Sequence, residues 1–181
     1  MGEGRLVVFC ILSFLAIVGL LYMGYQAGLQ VPEDEAVALE NALRAEIENA
    51  TVQELALSIF VNNLYHGLIV ALAPGIGMVG IAYVVWSTGY AYGMRVVAWR
   101  ALGEVSAPTD HVFVAWITHP VVLFELAVYV IALALQVELL WRWREGRLDR
   151  SFMKMFLLAE LALVALLFIH AIIEASYIVG G

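Results

Sequence analysis

The chain has 181 residues, of which 64% are hydrophobic and only 14% charged, and its mean hydropathy is +0.91. That balance excludes an ordinary soluble globular domain, and a net charge of −7 gives no footing for nucleic-acid binding. The single cysteine, Cys10, excludes an intrachain disulfide and reads as apolar filler in the first hydrophobic stretch.

A helix needs about 20 mostly apolar residues to cross roughly 30 Å of hydrocarbon. Five stretches meet that requirement: 6–29, 55–73, 78–102, 120–141 and 152–179. The expected fold is all-α, a polytopic membrane bundle formed by a single domain over residues 1–181. Its parts are an N-terminal anchor helix (6–29), an outer acidic segment (30–54) and a four-helix membrane core (55–179). The first stretch is too long for a signal h-region and no small-x-small cleavage site follows, so it reads as a retained anchor. In the acidic segment, Pro32 followed by Glu33, Asp34 and Glu35 predicts a helix start. Val37, Leu39, Leu43 and Ile47 then recur near every fourth position, an amphipathic pattern suited to the membrane surface or the flank of the bundle. Asn49-Ala50-Thr51 fits an N-glycosylation acceptor, a triplet common by chance. Further on, the apolar run 112–141 exceeds one crossing, and Pro120 must interrupt it. The spacing predicts a short interfacial or re-entrant piece over 112–118 ahead of the fourth crossing. Trp99, Trp116, Trp141 and Trp143 near the expected ends match the aromatic belts of membrane proteins.

Charge asymmetry gives an orientation. Arg142, Arg144, Arg147, Arg150 and Lys154 crowd one connection, and short loops rich in lysine and arginine stay cytoplasmic. Five crossings then place the N-terminus in the cytoplasm, and the acidic segment and C-terminus outside. Arg95 and Arg100 fall near an outer end, where they are expected to snorkel toward headgroups.

Small residues offer close-packing faces: Gly24 with Gly28, Gly89 with Gly93, and the Gly75, Gly77 and Gly80 series. Such spacing leaves open whether the contact lies within one chain or between copies of a homo-oligomer. Polar groups at membrane depth are more informative, since an acidic side chain there costs about 2.5–3.5 kcal/mol or more. The second stretch carries Asn62, Asn63 and His66, and the fourth begins at His119 and carries Glu125. In the fifth, Glu160, His170 and Glu174 fall along one stripe. Glu138 and Glu174 sit near helix ends, where water can reach them. Three readings compete: a structural network that fixes helix packing, a proton or ion pathway, and a metal site built from His66, His119 and His170 with Glu125 or Glu174. No paired metal-ligand spacing, nucleophile elbow or phosphate loop is present, so neither a catalytic residue nor a metal or other cofactor is assigned.

Three short motifs carry a family resemblance. One runs from Ile59-Phe60-Val61-Asn62-Asn63 through Pro74-Gly75-Ile76-Gly77 to Ser87-Thr88-Gly89-Tyr90-Ala91-Tyr92-Gly93. The others are His119-Pro120-Val121-Val122-Leu123-Phe124-Glu125-Leu126 and Ala171-Ile172-Ile173-Glu174-Ala175. Their order and spacing resemble the stage II sporulation protein M family, with Pro120 standing where glycine is usual and Thr88 where asparagine is. The resemblance implies a non-enzymatic membrane component. In endospore-forming bacteria the named member anchors two extracytoplasmic proteins that remodel septal peptidoglycan; here only the membrane-domain likeness carries over. The partners it implies are membrane lipid and other envelope proteins met at the outer face. A transporter component with a polar intramembrane pathway is the alternative.

Overall fold

The computed structural model describes residues 3–64 and 76–180. They form seven helices and no strand: α1 (Glu3–Gly28), α2 (Glu33–Asn49), α3 (Val52–Asn63), α4 (Ile76–Ala101), α5 (Thr109–Ile117), α6 (Pro120–Arg144) and α7 (Arg150–Gly180). Three helices are long and apolar enough to cross a membrane, over Val7–Gly28, Pro120–Arg144 and Arg150–Val179. Among the described residues, three of the five expected crossings are thus supported on these grounds. At 26 residues, α4 reaches about 39 Å, but its glycines, tyrosines, Ser87 and Thr88 dilute its apolar character. Only α3 represents the second expected crossing, and the rest of that stretch, with His66, Pro74 and Gly75, lies outside the described residues.

The most extensive helix contact joins α1 to α4, and glycine builds it. A Cβ on Gly24 would stand 2.9 Å from the Tyr90 amide nitrogen and closer still to the Trp86 carbonyl. Added to Gly28, one would meet the Tyr90 carbonyl; added to Gly89 or Gly93, it would meet the Leu21 or Tyr25 carbonyl. Backbone therefore touches backbone from both sides, as small residues allow in membrane helices. Gly77 and Gly80, earlier on α4, are buried as well. The paired positions rise together in sequence, so α1 and α4 run parallel. Gly89 lies against Leu21, and stepping back along both helices at one rise brings Ile76 level with roughly Val8. The chain from Gly28 to Ile76 must accordingly return the length of α1.

The other two long helices run antiparallel to each other. At one end of the seam the Arg142 guanidinium lies 4.3 Å from the centre of the Phe152 ring; at the other, His170 Nε2 is 3.1 Å from the Val121 carbonyl. Phe9 of α1 meets Trp141 of α6, placing the start of α1 at the arginine-rich end. Ile17, Leu21, Val84, Val85, Tyr129, Ala132, Leu135, Leu163 and Leu167 are among the side chains that fill the core between these helices. Glu138 departs from the wet helix-end position expected of it. It is fully buried and accepts a 2.8 Å hydrogen bond from Arg142 one turn on, because a carboxylate facing the core needs a partner at hand. Of the four belt tryptophans only Trp141 and Trp143 are exposed; Trp99 and Trp116 turn inward onto Tyr92.

At the opposite end α2 lies across α4, with Ala36 and Glu40 buried and Val37, Leu43, Arg44 and Ile47 half-buried. Leu39 is exposed, so the face is centred on Ala36, Glu40 and Arg44 and not on the apolar stripe alone. Thr51 starts α3 with a capping box: its hydroxyl accepts from the Glu54 amide, and the Glu54 carboxylate accepts from the Thr51 amide. Asn49 and Thr51 of the glycosylation triplet are thus both engaged, Asn49 with the Ala45 carbonyl. Thr51→Ala should fray α3, measurable as faster hydrogen exchange at the amides of its first turn with the α1–α4 contact unchanged. Beyond α4, α5 extends over Thr109–Ile117 and ends where Thr118 bonds back to the Val114 carbonyl; Pro120 then occupies the first turn of α6. The break expected at His119-Pro120 is present, and nothing in the helix geometry marks α5 as re-entrant.

Candidate functional site

Opposite its glycine face, α4 carries Tyr83, Ser87, Ala91 and Arg95 at four-residue steps, with Thr88 and Tyr92 beside them. This arc faces a cavity of about 500 Å3 that α3, α5, α6 and α7 complete with Ile59, Asn62, Asn63, Trp116, Glu125 and Glu174. The division is physical: one face of α4 is bare so that α1 can reach its backbone, and the other is polar because it borders space instead of lipid.

Asn63 is buried at the end of α3 and donates to Glu125 Oε1 at 3.3 Å, while Asn62 reaches the Asn63 side-chain oxygen at 3.5 Å. The Tyr129 hydroxyl, one turn along α6, sits beside the Glu125 carboxyl. Glu174 on α7 is close enough to Glu125 to act on it electrostatically, and to feel Arg95 across the cavity. His170, one turn before Glu174, is buried, with Nδ1 3.7 Å from the Glu174 carboxylate and Nε2 toward Val121. Asn62, Asn63, Glu125, Glu174 and His170 therefore come together.

Two other polar residues do not join them. Glu160 is buried further down the α6–α7 seam, where its carboxyl faces Gln136. His119 sets its ring edge-on to Tyr177, 5.2 Å between centres, and lines no part of the cavity. Among the described residues no group of three or more His, Cys, Asp or Glu is placed to hold a metal ion. His66 lies outside the described residues.

Sequence reasoning missed the aromatic wall and Arg95. Tyr92 stacks on Trp116 with ring centres 4.0 Å apart and planes 9° from parallel. The i, i+4 run from Tyr83 to Arg95 was a signal for this face, but tyrosine and serine carry little weight in a hydrophobic stretch.

Arg95 does not snorkel. Its Nε donates to Glu40 Oε2 at 2.9 Å, and it thereby ties the cavity wall to α2. Glu40, 1% exposed, also accepts from the Trp99 indole and from Arg44, both at 2.9 Å. Arg44 spans onward to Glu104 with two parallel bonds of 2.9 and 2.6 Å. Burial alone would raise the Glu40 carboxyl, but hydrogen bonds from Arg95, Trp99 and Arg44 outweigh it and hold the group below its ordinary value. The bonds of Arg44 to Glu104 and to Glu40 raise Arg44, and the bond from Arg44 lowers Glu104. Arg100, the other expected snorkeller, is exposed and donates to the Ala107 carbonyl.

Compared with known proteins, the chain matches the family model described as stage II sporulation protein M over residues 6–177. Neither the curated proteins nor the solved structures give a match.

Proposed function

The chain belongs to the stage II sporulation protein M family, and from that premise we propose a non-enzymatic integral membrane scaffold that anchors partner proteins at the cell envelope. The Glu40 clamp carries this reading. It fixes α2 on α4 as a rigid platform and leaves Glu33, Asp34, Glu35, Glu46 and Glu48 exposed. A helix held at its buried face and acidic on its free face suits a docking surface for a protein with complementary basic groups. We place this platform outside the membrane, with five crossings, the N-terminus in the cytoplasm and the C-terminus outside. The parallel run of α1 and α4 supports the extra return crossing between them, and the basic end at Arg142–Lys154 supports the orientation. A photoreactive residue at Ala38 or Ala45, both exposed on α2, should capture a specific extracytoplasmic protein in native membranes. Capture no different from that of the same probe at Val8, near the far end of α1, would sink the scaffold.

The cavity favours a second reading, a membrane component of a transporter whose polar pathway passes Asn62, Glu125 and Glu174. In liposomes this reading requires proton or solute flux that Glu125→Gln abolishes, a loss that a passive scaffold has no way to show.

A further inference from the structure

The cavity has a definite chemical character. Glu40 and Glu104 match Arg44 and Arg95 one for one, so the cluster that borders the cavity at its α2 end is neutral in itself. Glu125 and Glu174 stand apart from that balance. Asn63 donates to Glu125, which also lies beside the Tyr129 hydroxyl, His170 Nδ1 stands 3.7 Å from Glu174, and among the described residues neither carboxylate is ion-paired to a lysine or arginine. The stacked rings of Tyr92 and Trp116 line the same cavity. Two carboxylates and an aromatic pair lining about 500 Å3 suit a compact organic cation. A carboxylate supplies the charge and accepts the ammonium N–H bonds, and the ring faces attract the cation's positive end or cover its apolar body. Among the described lining residues, Arg95 is the one cation an anion would find, and it is already held by Glu40.

We propose that this cavity is a binding site for a small primary ammonium compound with an apolar body, held by the Glu125 and Glu174 carboxylates together with the rings of Tyr92 and Trp116. The proposal deepens the transporter reading and rests on the same cavity, but binding does not require passage across the membrane.

The test uses the full chain in lipid nanodiscs, titrated calorimetrically with phenethylamine, its neutral isostere 2-phenylethanol and the anion phenylacetate. The expected result is saturable one-site binding of the amine, at least about tenfold tighter than the alcohol. Glu125→Gln and Glu174→Gln should each weaken it by about tenfold, and Tyr92→Leu by roughly two- to thirtyfold. Each variant is compared only if it melts like the wild type; should one fail to fold, the other two decide. Equal binding of amine and alcohol, tighter binding of phenylacetate, or an amine isotherm unchanged in every folded variant overturns the site, the last meaning partition into lipid. Liposome flux separates the two ideas. Amine binding without movement of amine, proton or solute ends the transporter reading and keeps the site, whereas flux of another solute with no amine binding does the reverse.

Discussion

Gly93→Ala should unfold the α1–α4 pair, while Gly19→Ala leaves it intact or slightly firmer. Both glycines lie inside long helices, where alanine is intrinsically better by about 1 kcal/mol. The neighbours decide the sign. A Cβ on Gly19 meets nothing within 4 Å, so only the helix gain remains. A Cβ on Gly93 would meet the Tyr25 carbonyl and stand 3.2 Å from the Gly28 Cα, and backbone cannot rotate aside as a side-chain tip can. Separating the helices forfeits the largest contact in the fold, so the cost should reach about 3 kcal/mol, outweighing the propensity gain. Denaturant titration in mild detergent reads both variants. A Gly93→Ala protein as stable as wild type would mean that α1 does not pack on α4 in this way.

Loss of the Glu40 carboxylate should release α2. Glu40→Ala leaves Arg95, Arg44 and the Trp99 indole without their common acceptor at once. Removing one partner of a buried ion pair costs about 3–5 kcal/mol. The lower end applies here, since Arg44 and Arg95 keep partial access to water. Hydrogen exchange across Glu33–Asn49 should rise sharply while α6 and α7 stay protected. Glu104→Ala removes only an exposed pair and should barely register. The pH dependence follows from the lowered Glu40 carboxyl. Its contribution is fully present above the ordinary carboxylate value of 4.5 and is lost only as pH falls through the still lower value in the folded protein. Docking of α2 should therefore hold from neutral pH down to about 4.5 and weaken only in stronger acid. Release near neutrality would show that Glu40 is not the group that holds the helix.

The clamp shows where sequence reasoning falls short. Acidic residues in a polar segment read as a solvated face, and an arginine near a helix end reads as a snorkeller. Each reading is right for a helix taken alone. Glu40 and Arg95 are 55 positions apart, and nothing local marks them as a pair. The apolar stripe through Leu39 misled for the same reason, since the buried face of α2 was chosen by an ion pair that hydrophobic periodicity cannot register. Asn63 and Glu125 could be singled out because lipid makes any such group conspicuous, yet Glu160 was equally conspicuous and packs elsewhere.

Local chemistry determined the helical class of the described residues and the break at Pro120, because each depends on residue types within a short window, and the order of short motifs along the chain determined the family. The choice among polar groups belonged to the tertiary structure. Which of them border the cavity, which seal the seam and which tie α2 to α4 depends on how α1 and α4 close on their glycines, and that contact fixes the rotation of α4 and so the side of it that meets the cavity.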